Sequence, residues 1–260
     1  MPDRVTDRAI TVLSLGAGVQ SSTLLLMACR GEIEKPNVAI FADTQAEPPW
    51  VYDHLEFLTT EAQDAGIPVY RVTRGDLTDE LHQVPWYVKP TDGGDSFMLR
   101  RQCTLHFKLE MIYRQTRALM GYKGAPRKHH AEMWVGISLD EVRRMKPARP
   151  PWVHNRWPLI EQRMTRWDCQ RWMQERGYPM PAKSSCTFCP YHDNTYWKHL
   201  RDTAPALWDQ AVATDARVRT LFPRGESFLH RSLVPLPMVD LDGPDQLDLF
   251  DLECEGMCGV

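Results

Sequence analysis

No apolar run in the 260 residues approaches the roughly 20 that a membrane span needs. That shortage excludes insertion into a bilayer, and 43% hydrophobic with 25% charged residues is the balance of an ordinary soluble domain. The opening residues, MPDRVTDRAI, lack the apolar core of about 7–15 residues that a secretory signal carries, so the expected location is cytoplasmic. No Lys follows the first glycine-rich turn, which excludes a Walker loop, and Ser21 stands where a third glycine would complete G-x-G-x-x-G. Internal repeats and low-complexity segments are absent as well. Net charge is also slight, at −3, but it is unevenly spread. Between Arg100 and Arg176 there are 17 lysines and arginines against 7 acids, a net of +10 that points to a polyanionic partner. From Asp240 to Glu255 there are seven acids and no Lys or Arg.

Seven cysteines are present, and in a chain without an export signal they suit metal or redox chemistry better than a disulfide framework. The pattern along the chain alternates strands and helices. Ile10–Leu15, Val38–Phe41, Pro68–Val72 and Glu132–Gly136 read as strands; Thr23–Cys29, Trp50–Ala65, Thr104–Met120 and Thr165–Arg176 read as helices. This alternation predicts an α/β fold, a doubly wound and mostly parallel sheet, with ligands at the carboxyl ends of the strands. Residues 74–100 are expected to be a mobile loop near the site. Asn194–Phe222 reads as a helix broken near Pro205, the start of a helical extension. We therefore expect a nucleotide-binding domain over 1–200 and an extension with an acidic, cysteine-containing tail over 201–260.

The first turn, Ser14-Leu-Gly16-Ala17-Gly18-Val19-Gln20-Ser21-Ser22, joins a strand to a helix. Such a turn aims backbone N–H groups and the positive helix end at a phosphate, while glycines permit close approach and a positive φ; a tight turn without a ligand is the plainer alternative. The loop resembles the PP-loop family of adenine-nucleotide α-hydrolases, which carry S-G-G-x-D-S here; Gln20 occupies the slot where that family usually has Asp. Phe41-Ala-Asp43-Thr44 with Glu47-Pro48 is similar to the phosphoadenosine-phosphosulfate reductase branch. Trp134-Val-Gly136-Ile-Ser-Leu-Asp-Glu141-Val-Arg-Arg144 resembles the family's fourth-strand segment. The resemblance runs over residues 10–200 and implies that Asp43, Thr44, Gly136, Glu141 and Arg144 lie beside the nucleotide, with Arg144 gripping phosphate.

Cys186-Thr-Phe-Cys189-Pro has the spacing of a pair that binds one metal centre. Cys103 lies 83 residues upstream, and related cluster-containing sulfonucleotide reductases show a Cys-Cys pair at about that distance. Here Gln102 replaces the first cysteine of the pair. The resemblance thus implies a 4Fe-4S cluster on Cys103, Cys186 and Cys189, with zinc as the competing occupant. Either one iron stays open or a tail cysteine, Cys254 or Cys258, completes the set. Glu253-Cys254 also resembles the nucleophilic tail of true reductases, misregistered. Lys108 is a candidate to neutralise phosphate charge in a transition state. Cys29 and Cys169 read as small core residues. Trp167 and Trp172 read as core by their spacing, whereas Trp152 and Trp157, amid Pro and Arg, are open between core and nucleic-acid contact.

Together these features predict an ATP- and Mg²⁺-using sulfur-transfer enzyme resembling the ATP pyrophosphatases of DNA phosphorothioation and tRNA thiolation. It would use a nucleic-acid acceptor on the basic 100–176 segment and a sulfur-donor protein such as a cysteine desulfurase. Two alternatives are a phosphosulfate or adenylyl-sulfate reductase with Cys254 as nucleophile, and a silent nucleotide-binding cluster protein.

Overall fold

The protein is described by a computed structural model covering residues 10–126 and 130–242. Cys254 and Cys258 therefore lie outside the described residues. Five parallel strands, β1 (Ile10–Ser14), β2 (Val38–Asp43), β3 (Val69–Thr73), β6 (Ala131–Trp134) and β7 (Val153–Arg156), form one sheet in the order β3-β2-β1-β6-β7. Neighbouring residues point to opposite faces, as the pleat requires. Leu13 and Phe41 join one core with α1 (Val19–Cys29), α2 (Pro49–Asp64), the short α4 (Pro158–Glu161) and α5 (Arg166–Glu175), while Val12 and Ile40 join a second core with α3 (Glu110–Leu119). The sheet is thus doubly wound, as expected. Every residue of α1 from Val19 to Ala28 is buried, because α2 and α5 flank it on the sheet. That all-round burial is why its sequence lacks a polar stripe.

Strand β7 was not expected. Its sequence, VHNR, has a single buried residue, and its place as an edge strand comes from pairing with β6. Residues 74–100 are also more ordered than the composition suggests. Asp76 caps a 3-10 turn over Leu77–Gln83 by accepting from the Thr78 N–H at 2.8 Å. Beyond it β4 (Tyr87–Pro90) and β5 (Phe97–Met98) form an antiparallel sheet with β8 (Gly225–Phe228), far along the chain. Local periodicity cannot report such a partner. Around this sheet lies a third core of Trp86, Phe107, Phe188, Trp197, Leu229 and Leu236, with α6 (Asn194–Thr203) and α7 (Pro205–Val218) packed on it. The helix break falls at Ala204–Pro205, as the sequence predicts. Among the described residues no helix is long and apolar enough to cross a membrane.

Helices α1 and α2 are joined by a buried polar contact, with Ser22 Oγ 3.0 Å from His54 Nε2. Burial pushes the His54 imidazole down to about 4 from its ordinary 6.5, so it folds as the neutral ring. The unfolded chain takes up this proton at higher pH than the folded one. The stability from neutral His54 is therefore complete above about pH 6.5 and is lost as the pH falls toward 4, on the order of 3 kcal/mol in all. We expect the urea midpoint to drop across that window and His54→Gln to flatten the drop. An unchanged pH slope in that variant would assign the acid sensitivity elsewhere.

Candidate functional site

The turn after β1 is held from both sides. The Ser21 hydroxyl accepts from the Gly16 N–H at 3.2 Å, and its own hydrogen points to the Gly18 carbonyl at 3.4 Å. The positive φ in this loop belongs to Ala17, at 56°, a conformation that costs a residue with a Cβ about 1 kcal/mol or more. Gly18 is extended, with φ −92°, so the expected positive φ at a loop glycine is found one residue earlier. Helix α1 starts with no side-chain cap and no acid in its first turn. No side chain thus satisfies its first-turn amides or offsets its positive end.

Gln20, wholly buried, connects this loop to two other segments. Its amide nitrogen donates to Glu141 Oε2 at 3.0 Å and lies 3.4 Å from the Ser138 hydroxyl, while its carbonyl oxygen accepts from Arg166 Nη1 at 2.9 Å. Glu141 is also ion-paired with Arg144. Gln20, Glu141 and Arg144 thus meet, with Gly136 buried just past β6. Arg166 and Ser138 complete the group. Arg166 gave no signal in the sequence, because only the packing of α5 on α1 brings it here.

Asp43 ends β2 with both carboxylate oxygens engaged within the fold. Oδ1 accepts from the Gln45 N–H and the Tyr52 hydroxyl, each at 2.8 Å, and Oδ2 from Arg71 Nε at 2.9 Å. Burial, and then Asp43 itself, raises the Tyr52 phenol above its ordinary range and keeps it a donor. The next residue, Thr44, places its hydroxyl 3.2 Å from Cys186 Sγ.

The cysteine loop is pinned to the same strand ends. The Ser184 hydroxyl donates to the Gly16 carbonyl, and the Thr187 N–H donates to the Ala46 carbonyl at 2.8 Å. Cys103, Cys186 and Cys189 line one cavity with Thr44, Arg101, Lys108, Phe188 and Tyr191. The tertiary fold therefore gathers the three cysteines and the lysine singled out by sequence. A π-helical turn over Thr104–Leu109 accounts for Lys108. In an α-helix a residue five along lies roughly 140° around the axis; i→i+5 bonding brings it back toward the Cys103 side. Lys108 Nζ bonds Glu47 Oε1 at 3.1 Å, both side chains being nearly or wholly buried. Burial first, and Glu47 second, raises the Cys186 thiol well above its ordinary value, with Lys108 opposing. Arg101 lies 4.7 Å from the Tyr191 ring. His192 is buried and neutral, and its Nε2 donates to the Cys186 carbonyl at 2.9 Å, which fixes the turn between the two cysteines. Among the described residues no group of three His, Cys, Asp or Glu side chains forms a ready site for a metal ion.

The chain is similar in structure to the phosphoadenylyl-sulfate reductase of Candida auris, solved as a phosphate complex. Identity is 14%, the match covers 67% of this chain and 76% of that chain, and the TM-score is 0.41. No protein-family model and no curated protein matches the chain. The α/β assignment accordingly stands on the strand order and on the helices covering both faces of the sheet.

The tryptophans need one correction. Trp172 and Trp152 are core, but Trp167, which its spacing assigns to the core, is 62% exposed. It sits at the first turn of α5, where Thr165 and Asp168 form a capping box, and the buried stripe of that helix runs through Cys169, Trp172 and Met173 instead. Cys169 is buried as expected, and Cys29 is half-buried against the first core.

Lys108→Met should lower stability by about 3–5 kcal/mol, because it leaves a buried carboxylate without its ammonium partner. Adding Glu47→Leu should recover most of the loss. Urea titration of the two variants checks this, and an equal loss in both would mean that the ion pair is not what the fold depends on here.

Proposed function

We propose that this chain is an ATP-using iron–sulfur enzyme of the PP-loop type that transfers sulfur to a nucleic-acid acceptor, with residues 1–200 as its nucleotide-binding domain. The observation that carries the reading is the contact between the two loops: Ser184, two residues before Cys186, bonds the Gly16 carbonyl, and Thr44 bridges to the cysteine itself. A phosphate loop and a thiol-lined cavity on one edge of a sheet suit an enzyme that activates with a nucleotide and delivers sulfur beside it.

In this reading the first-turn amides of α1 receive the nucleotide phosphates, with Arg144 and Arg166 flanking them. Gln20 cannot serve as a carboxylate for Mg²⁺, but its side chain holds Glu141 at 3.0 Å, so Glu141 is the acid available beside the phosphates. An oxygen of the acceptor attacks the α-phosphorus of ATP, the bond to pyrophosphate breaks, and a sulfur nucleophile later displaces AMP. Asp43, tied to Arg71 and Tyr52, holds the Thr44–Glu47 turn in place. Lys108 supplies positive charge between the cysteines and the nucleotide. Three soft thiol donors with two cations on one cavity fit a cysteine-held 4Fe-4S cluster, which carries negative charge. Cys103, Cys186 and Cys189 would hold it, and when bound it supplies an iron at which hydrosulfide can be kept. A sulfur-donor protein of the cysteine desulfurase kind would supply the sulfur as a persulfide, from which a thiol reductant releases hydrosulfide and is itself oxidised to a disulfide.

Purified without oxygen, the protein should be brown, with about four iron and four sulfide per chain, and Cys103→Ser or Cys186→Ser should bleach it. Deleting residues 253–260 should leave the iron largely in place. Colourless protein with stoichiometric zinc would reverse the assignment, and cluster loss on truncation would make Cys254 or Cys258 the fourth ligand. With ATP and acceptor, pyrophosphate should be released. Sulfite from phosphosulfate, with no pyrophosphate from ATP, would instead favour a reductase using Cys254.

A further inference from the structure

Of nine tryptophans, five are buried and three half-buried, and Trp167 alone is exposed. Its ring is not left to itself. The Arg171 guanidinium lies 4.4 Å from the ring centroid, so one face is covered by a cation while 62% of the residue still meets solvent. An indole fixed on one face and open elsewhere is a flat platform.

Beside it is a second exposed apolar pair. Leu139 and Val142 are 41% and 48% exposed, on a turn fastened to the start of α5 by the Leu139 N–H to the Met164 carbonyl at 2.8 Å and by the Arg166 N–H to Asp140 at 3.0 Å. Around these apolar residues the same two segments present Arg143 and Arg163 to solvent, with Arg166 partly exposed. The acids among them are engaged in the fold. Asp140 caps the Arg166 N–H, Asp168 closes the capping box and pairs Arg171, and Glu141 pairs Arg144. The patch thus combines an aromatic face with positive charge, and Arg166 ties it to Gln20 in the phosphate loop.

We infer that Trp167 is a stacking platform for an unpaired base of a single-stranded nucleic acid whose phosphates lie along Arg143 and Arg163. The inference rests on the acceptor reading above and locates its recognition surface. A base offers a π-face and its backbone offers negative charge, which is the complement of this patch. A second copy of the chain is a poorer occupant, because a two-fold contact would set this positive patch against itself.

Fluorescence anisotropy with short, labelled single strands, DNA and RNA of one base order, tests this on the full chain without ATP. Trp167→Ala should weaken binding about tenfold or more, and Trp167→Phe should restore most of it. Arg143→Ala and Arg163→Ala should each reduce the slope of log affinity against log salt by about one. ATP affinity should not change in any of the four. Unchanged strand binding by Trp167→Ala, with its circular dichroism intact, would overturn the platform and leave the acceptor reading standing. No strand binding by the unmodified protein would overturn both. A shift from dimer to monomer in Trp167→Ala, with strand binding unchanged, would give the surface to a second copy instead.

Discussion

The carbonyl of Gly16 leaves β1 inside the glycine-rich loop and accepts a hydrogen bond from a serine 168 residues later. The arrangement of the candidate site follows from that closure. Ser184 on Gly16 and the Thr187 N–H on Ala46 tie the main chain of the cysteine loop to the ends of β1 and β2. With them, Cys186 sits at hydrogen-bond distance from Thr44 and shares a cavity with Cys103. Backbone groups at strand ends have spent one side of their hydrogen-bonding capacity in the sheet. A loop that satisfies the remainder is held in register with the strands. The strong positioning thus comes from the main chain, and the reactive side chains are carried along.

A second set of contacts performs the same service on the far side of the loop. Gln20 donates to Glu141 and accepts from Arg166, so a neutral side chain arranges an acid and a base around the start of α1. An Asp at this position would stand against Glu141, and two carboxylates at this range repel unless a cation lies between them. With Gln20 here, the carboxylate beside the start of α1 is that of Glu141, on the facing turn. Arg144 ion-pairs with Glu141, and α5 supplies Arg166 from its first turn. A common hydrogen-bonded framework thus links glycine-rich loop, turn and helix start to the exposed patch around Trp167.

On the cysteine side a buried ion pair and a π turn act together. Glu47 and Lys108 are both withdrawn from water, an arrangement that is stable only when the geometry of the pair is good. The widened helical turn rotates Lys108 toward the cavity where Arg101 and three thiols already face each other. Cations of this kind oppose the penalty of burying thiolates, which is visible at Cys186, where Lys108 counters burial and Glu47.

The residues alone determined the alternation of strands and helices, the sharp turn after β1, the break at Pro205 and the pairing of Cys186 with Cys189, because each is written within a few neighbours of itself. The joining of Cys103 to that pair was legible only through resemblance. Tertiary structure decided the rest. Strand β7 and the β4-β5-β8 sheet take their hydrogen bonds from partners far away in the chain, which period and propensity do not report. Ser184, Ser138 and Arg166 are ordinary polar residues until the fold brings them to Gly16 and Gln20. Trp167 marks the limit most clearly: an apolar spacing placed it inside, and the capping box at Thr165 set the phase of α5 so that it faces out. The helical phase depends on where the helix begins and on which neighbour it packs against, and only the assembled fold fixes both.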